Sequence, residues 1–326
     1  MHTKEELKMK QSLPLDVKIK MTETRLKDWV DYWGLDNVYV SFSGGKDSTV
    51  LLHIARQLFP TIKAMFVDTG LEYPEIRSFV KTFDNVDWVK PKLTFKQVIE
   101  KYGYPFISKE VAQKVYEGRS KPDGYTKKYF TPVEQGGKHA KYNMSKYAFL
   151  LNAPFTCTHK CCYVMKKSPA HTYYHKTGKH PITAETTEES RLRETNWLLH
   201  GCNAFDTKIP VSKPMSFWTE QDILRYIYVN KIELASVYGE VIETEKQIAL
   251  FDDFQYKYET TGCKRTGCMF CAFGCHRDGT PNRFERMKIT HPKQYEYIMK
   301  PFSEGGLNYK FVIDWINEHS NLNIKY

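Results

Sequence analysis

The hexapeptide Ser43-Gly44-Gly45-Lys46-Asp47-Ser48 concentrates the residue types that bind an oxyanion. Two glycines let main-chain N–H groups approach a charged oxygen closely. Lys46 brings a cation, and Ser43 and Ser48 bring hydroxyl donors. The spacing is shorter than in the Gly-x4-Gly-Lys-Ser/Thr loop, so this is a different cradle for a phosphate, pyrophosphate or sulfate. Gly-Gly-Lys alone reads rather as an ordinary turn with a surface lysine; the whole hexapeptide favours the cradle. Asp47, Asp68, Glu72 and Glu75 are the nearby acids. They offer hard oxygen ligands for a Mg2+ that bridges ATP phosphates, while Asp47 also suits a helix start.

The chain has 8 cysteines, and their grouping reads as metal or cluster ligation. Cys161 and Cys162 are adjacent. Cys268-x2-Cys271 follows much later, bracketed by Cys263 and Cys275. Thiolates at this spacing grip one metal or one edge of a cluster. The local set Cys263, Cys268, Cys271 and Cys275 is a rival zinc or cluster site, and buried thiols that only pack are the plain alternative. Adjacent cysteines sit awkwardly on one tetrahedral zinc.

Residues 114–147 interleave Lys114, Arg119, Lys121, Lys127, Lys128, Lys138, Lys141 and Lys146 with Tyr116, Tyr125, Tyr129, Phe130, Tyr142 and Tyr147. Basic side chains take phosphates while aromatics stack on unpaired bases. A solvated loop over an active site fits the same composition. His171 and His175 are spaced i, i+4, but lack the Glu of the zinc-protease pattern and read as a polar helix face.

These residues need elements to position them. Val38–Phe42 reads as a strand, Lys46–Phe59 as a helix, Ile62–Val67 as a strand and Pro74–Phe83 as a helix. Val86–Val89 is a further strand and Phe95–Tyr102 a further helix. Such alternation predicts an α/β fold, a doubly wound and mainly parallel sheet covered on both faces. Ligands bind at the carboxyl ends of its strands, where both 43–48 and 68–72 fall. Residues 1–13 are polar and predicted to fray. Leu15–Trp33 reads as an amphipathic helix ended by Gly34. Ile182 to Ala184 reads as a strand end. Phe217–Val229 reads as a helix, with Thr219 and Asp222 suited to its start. Residues 260–281 are rich in Gly and Cys, and 282–319 are helical in pattern with a break at Gly305-Gly306. The predicted organisation is a helical lead-in over 1–36 and a nucleotide-binding domain over 37–230, with 114–147 inserted. A Cys-rich and helical region follows over 231–326.

At 326 residues the chain is long enough for a large core without disulfides. Its 48 Lys plus Arg against 38 Asp plus Glu give a formal charge of +10, which favours anionic partners. No apolar run reaches membrane-span length. The first residues are too polar for a signal peptide. We therefore expect a cytoplasmic protein with no membrane partner, in a reducing setting where clustered Cys bind metals.

SFSGGKDST at 41–49 resembles the modified P-loop of the ATP-pyrophosphatase (PP-loop) superfamily. VDTGLEYPE at 67–75 resembles the second motif of its phosphoadenosine phosphosulfate (PAPS) reductase branch. CCYVMKKSP at 161–169, EESRLR at 188–193, SFWTEQDILRYI at 216–227 and TGCMFC at 266–271 resemble that branch in the same order. The resemblance implies an adenine nucleotide alpha hydrolase-like fold and a site for ATP, APS or PAPS. It implies nucleotide contacts from Ser41, Ser43, Gly44, Gly45, Lys46, Asp47 and Ser48, with Lys46, Asp47 and Ser48 catalytic. Asp68, Thr69 and Gly70 would lie near the nucleotide, and Glu189, Ser190 and Arg193 would complete the anion-binding set. Iron–sulfur members, similar to APS reductases, imply a [4Fe–4S] cluster on Cys161, Cys162, Cys268 and Cys271. Two features depart from the reductases. No Cys lies beyond Cys275, so the thiol of their Glu-Cys-Gly-x-His tail is absent from its usual place. Ala184 and Thr186 replace the Gly and Arg that often precede Glu-Ser-x-x-Arg.

Three functions compete. The first is adenylation of an acceptor by ATP, with pyrophosphate release and then sulfur transfer. This resembles the iron–sulfur enzymes of DNA phosphorothioation and tRNA thiolation, with nucleic acid as an acceptor and a sulfur-donor protein as partner. The second is APS or PAPS reduction to sulfite, served by a thiol such as Cys275 or a thioredoxin-like partner. The third is a nucleotide- or nucleic-acid-binding module without turnover.

Overall fold

The computed structural model describes residues 1–121, 124–244 and 257–326. Contacts divide the chain into two compact units, Met1–Pro91 with Ser168–Met269, and Lys92–Lys167 with Phe270–Tyr326.

The first unit is built on a six-stranded sheet. Its strands run in the order Val86–Val89, Ala64–Val67, Val38–Ser41, His180–Ile182, Val211–Ser212 and Asn203–Ala204. All neighbours are parallel except the last pair. Val40 is registered on Ala64 on one side and on Ile182 on the other. Val38 and Val40 turn to one face, where they pack with Leu51, Ile54, Trp29 and Ile227 from three helices. Tyr39 and Met65 turn to the opposite face and meet Tyr173 of the helix Ser168–Thr177. The period-two alternation of a strand thus places helices on both faces of a mainly parallel sheet, the α/β architecture expected from the sequence.

The helix Leu15–Trp33 has its predicted bounds, and Gly34 terminates it at φ 85°. Residues 4–11 differ from expectation, because Lys4–Gln11 is a helix. Thr3 caps it by accepting the Glu6 N–H, and Leu7 is buried. Lys18 secures its end, with Nζ 2.6 Å from both the Gln11 carbonyl and Asp222 Oδ2. A polar segment folds here through a cap and tertiary contacts rather than through an apolar stripe.

The second unit joins the short strands Phe106–Ile107 and Ala272–Phe273 in parallel. Tyr309 is fully buried in this unit, 5.2 Å from the Phe106 ring and 5.7 Å from the Tyr104 ring. The helices Phe95–Tyr102 and Arg283–Thr290 both open with capping boxes, on Thr94 with Gln97 and on Asn282 with Glu285. The division crosses the boundary expected near residue 230, since residues 92–167 complete their sheet and core with the C-terminal segment. Residues 114–147 belong to this unit, and Phe130, Met144 and Tyr147 are buried in it. Residues 122 and 123 of that segment lie outside the described residues. No described helix is long and apolar enough to cross a membrane.

Candidate nucleotide-binding site

The strand Val38–Ser41 hands the chain to a bend that only glycine can make. Gly44 has φ 69°, and an ideal Cβ there would stand 2.7 Å from Val80 Cγ2 and 2.8 Å from Ile76 Cγ2. Gly45 then precedes the helix Lys46–Leu58 as its N-cap. Ser48 braces the bend from inside. Its hydroxyl donates to the Gly45 carbonyl at 3.0 Å and accepts the Ser43 N–H at 3.1 Å. The open side of the bend faces a cavity of roughly 280 Å3. Helix dipole, backbone N–H groups and Lys46 all converge there, the arrangement that suits a phosphate.

Other segments of the first unit close the cavity. Thr186, Glu188, Glu189 and Arg193 come from the charged run after the strand His180–Ile182. Glu220 and Ile223 come from the helix Glu220–Asn230, which opens with the predicted Thr219 and Asp222 as a capping box. Tyr238, Arg265 and Thr266 complete the wall. Each cation has a carboxylate beside it. Lys46 Nζ, 3% exposed as a residue, lies 3.2 Å from Glu220 Oε1 and 3.5 Å from Asp47 Oδ1. Arg265 Nε lies 4.0 Å from Glu220, and Arg193 pairs with Glu189. Tyr238 sends its hydroxyl to the loop, accepting the Lys46 N–H at 3.2 Å and meeting Thr266 Oγ1 at 2.6 Å. Burial pushes the Tyr238 hydroxyl above its ordinary pKa, while Thr266 and the Lys46 N–H pull it back.

Of the predicted residues, Ser43, Gly45, Lys46, Asp47, Glu189 and Arg193 line this cavity. Ser41, Gly44 and Ser48 build the bend behind it, and Ser190 caps the helix Arg191–His200. Asp68, Thr69 and Gly70 follow the neighbouring strand Ala64–Val67 and do not line it. Asp68 Oδ2 accepts from Arg77 at 2.8 Å, whereas its Oδ1 is buried with no hydrogen-bond partner among the described residues. Thr69 donates to Glu72 through both its N–H, at 3.1 Å, and its hydroxyl, at 2.7 Å. Glu220, Tyr238, Arg265 and Thr266 were not singled out as site residues by sequence. Thr219 and Asp222 mark the helix that carries Glu220, and Arg265 and Thr266 fall in the Gly- and Cys-rich segment. Tyr238 carries no local signal.

The cysteines are divided. Cys161, Cys162, Cys271 and Cys275 belong to the second unit, Cys263 and Cys268 to the first. Within the second unit, the Tyr309 hydroxyl donates to the Phe270 carbonyl at 2.6 Å. Burial raises the pKa of Tyr309, and the Cys271, Cys161 and Cys275 thiols add to that rise. Burial also pushes the Cys275 thiol up to about 12 and raises Cys271. Among the described residues no three His, Cys, Asp or Glu side chains stand together as a metal site.

Residues 37–273 match the phosphoadenosine phosphosulfate reductase domain family. Sulfate adenylyltransferase subunit 2 of Shewanella oneidensis is 25% identical over 277 residues, covering 79% of this chain and 83% of that protein. The subunit of the same name from Vibrio cholerae serotype O1 is 25% identical over 250 residues, 74% of either chain. Among solved structures, a phosphoadenylyl-sulfate reductase from Candida auris in its phosphate complex aligns at 14% identity and a TM-score of 0.38. That alignment covers 72% of this chain and 91% of that one.

Proposed function

The chain belongs to the phosphoadenosine phosphosulfate reductase domain family as an enzyme of nucleotide sulfur chemistry, and from that premise we propose that it adenylates an acceptor with ATP. The Ser43–Ser48 bend, opening with Lys46 on the 280 Å3 cavity, is the observation that carries this reading. An acceptor oxygen attacks the α-phosphorus of ATP. The bond from that phosphorus to the bridging oxygen breaks, and pyrophosphate leaves with the electron pair. Lys46 and the loop N–H groups stabilise the charge that develops on it. Arg193 and Arg265 neutralise the rest of the polyphosphate. A sulfur nucleophile, delivered by a donor protein, then displaces AMP from the activated acceptor.

The relatives named for sulfate adenylation support the first half of this sequence and make sulfate one acceptor to try. A second acceptor class is nucleic acid, supported by the second unit. There Lys138 Nζ lies 3.7 Å from the centroid of the exposed Tyr125 ring, and Lys114 Nζ 4.8 Å from that of Tyr129. Such cation and ring pairs suit phosphates and unpaired bases. A [4Fe–4S] cluster on Cys161, Cys162, Cys268 and Cys271 has only the resemblance behind it, and no step here depends on it.

Reduction of APS or PAPS is the competing reading. It needs a thiol at the nucleotide, and no cysteine lines the cavity among the described residues. The test is a pyrophosphate-release assay with ATP, run with sulfate, with a single-stranded oligonucleotide and without acceptor. Acceptor-stimulated pyrophosphate release is expected. Sulfite release from PAPS with thioredoxin, and no pyrophosphate from ATP, overturns the proposal in favour of reduction. Tight ATP binding without either product makes the chain a nucleotide-binding module.

A further inference from the structure

Tyr238 reaches the anion loop from a turn locked on both sides. Its N–H donates to the Ala235 carbonyl at 2.9 Å, and its carbonyl accepts the Gly262 N–H at 2.8 Å. Gly239 follows at φ 65°, where an ideal Cβ would stand 2.2 Å from Thr261 Oγ1. The residue is 2% exposed, so its ring has nowhere to swing. Tyr238 nevertheless lines the cavity. An ideal Cβ on Gly45 would stand 3.4 Å from Tyr238 Oη and 3.8 Å from Thr266 Oγ1. Both oxygens therefore lie over the bare backbone that the glycine exposes.

One side of this contact has a fixed direction. A backbone N–H only donates, so Tyr238 Oη accepts from Lys46. Its own hydrogen is then available to the oxygen opposite, which is Thr266 Oγ1 at 2.6 Å. Thr266 differs from Tyr238 in its support. It is half-buried on an irregular segment, beside Gly267, where a Cβ would meet nothing within 4 Å.

We propose that the Tyr238 hydroxyl is a fixed anion-binding group of the Ser43–Ser48 cradle, and that Thr266 Oγ1 stands where a ligand oxygen goes. The inference rests on the reading that the loop binds phosphate. In the free chain Tyr238 Oη accepts the Lys46 N–H and shares a hydrogen bond with Thr266 Oγ1. In the complex Thr266 withdraws, and the Tyr238 hydroxyl donates to a phosphate oxygen, a stronger acceptor because it is charged. The two halves of one hydrogen bond thus act in opposite senses. Tyr238 favours the complex and Thr266 favours the free chain.

The experiment is calorimetric binding of pyrophosphate and of ATP to the full chain and to two variants, with melting temperatures recorded. Tyr238→Phe is expected to weaken both ligands about tenfold, the loss of a hydrogen bond to a charged group. Thr266→Val, which keeps the volume, is expected to tighten both about threefold, since only the free chain loses a bond. A merely structural pair would shift both affinities the same way. Equal weakening by the two variants, or no change with either, overturns the inference while leaving phosphate binding at the loop intact. Should Tyr238→Phe fail to fold, Thr266→Val alone decides, and no tightening overturns the inference. A parent chain that binds neither pyrophosphate nor ATP overturns the functional reading and this inference together.

Discussion

Two neighbouring parallel strands end side by side in the sheet and finish in opposite ways. Val38–Ser41 runs into a bend whose groups are donors: backbone N–H groups, a buried lysine and a helix N-terminus. Ala64–Val67 runs into Asp68, Thr69 and Glu72, a set dominated by acceptors. The first end also pairs its donors in the free chain, the Gly45 N–H with Ser43, the Lys46 N–H with Tyr238 and Lys46 Nζ with Glu220 and Asp47. The second consumes most of its own polarity, in the Asp68–Arg77 pair and the Thr69–Glu72 bonds, and keeps one buried oxygen, Asp68 Oδ1, without a partner among the described residues. An end that presents donors grips an anion. An end that keeps one unpartnered acceptor suits a ligand hydroxyl or amine. The difference teaches that motifs alike in position, each at a strand's carboxyl end, need not share a task.

Lys46→Ala is the strongest attack on the first end. We expect a loss of about a hundredfold or more in kcat/KM for pyrophosphate release, the scale of a removed charge-stabilising contact. Its partner Glu220 has a side chain 38% exposed and is left solvated, so the melting temperature should barely move. Steady-state assays beside a thermal melt check both halves. Activity within fivefold of the parent would show that the bend is not the anion site.

Gly44→Ala attacks the same end through shape. The added methyl meets the stiff Cγ2 atoms of Ile76 and Val80, and φ lies in the left-handed region. Crowding and backbone strain together should cost about 2–4 kcal/mol. Urea denaturation would measure it, and an unchanged midpoint would mean that the helix Pro74–Val80 yields easily.

Asp68→Asn tests the second end. Arg77 has a side chain 41% exposed and can turn to water, so the loss of its partner should cost only about 1 kcal/mol. The more telling readout is ligand choice. ATP should weaken about tenfold, as a charged acceptor is lost, while pyrophosphate should bind as before because it carries no nucleoside. Equal weakening of both would erase the distinction between anion grip and nucleoside recognition.

The sequence made the first end legible because its parts are contiguous. Strand, glycines, lysine and helix fall within a dozen residues, and local rules suffice. The helix Leu15–Trp33 was readable for the same reason, from its amphipathic spacing and its terminal Gly34. What escaped was assembled at a distance. Tyr238 and Thr266 arrive from separate segments, and an irregular loop has no periodicity to announce them. The division of the chain escaped because Phe106–Ile107 and Ala272–Phe273 are two-residue strands whose pairing is far apart in sequence. The helix Lys4–Gln11 escaped because one buried leucine makes no stripe.

Gly70→Ala is the mildest change and bears on the same contrast. Gly70 has φ 72°, close to the 69° of Gly44, so both pay the left-handed strain once a Cβ is added. They differ in surroundings, because a Cβ on Gly70 would meet nothing within 4 Å. The expected cost is therefore the strain alone, about 1 kcal/mol, with pyrophosphate release within twofold of the parent. Subtracting it from the cost of Gly44→Ala isolates the crowding at the first end. A fall in ATP affinity with pyrophosphate binding and stability both intact would mean something else. The open space before Gly70 would then be filled by nucleoside in the complex, and the second end would be a contact surface as well as a source of one acceptor.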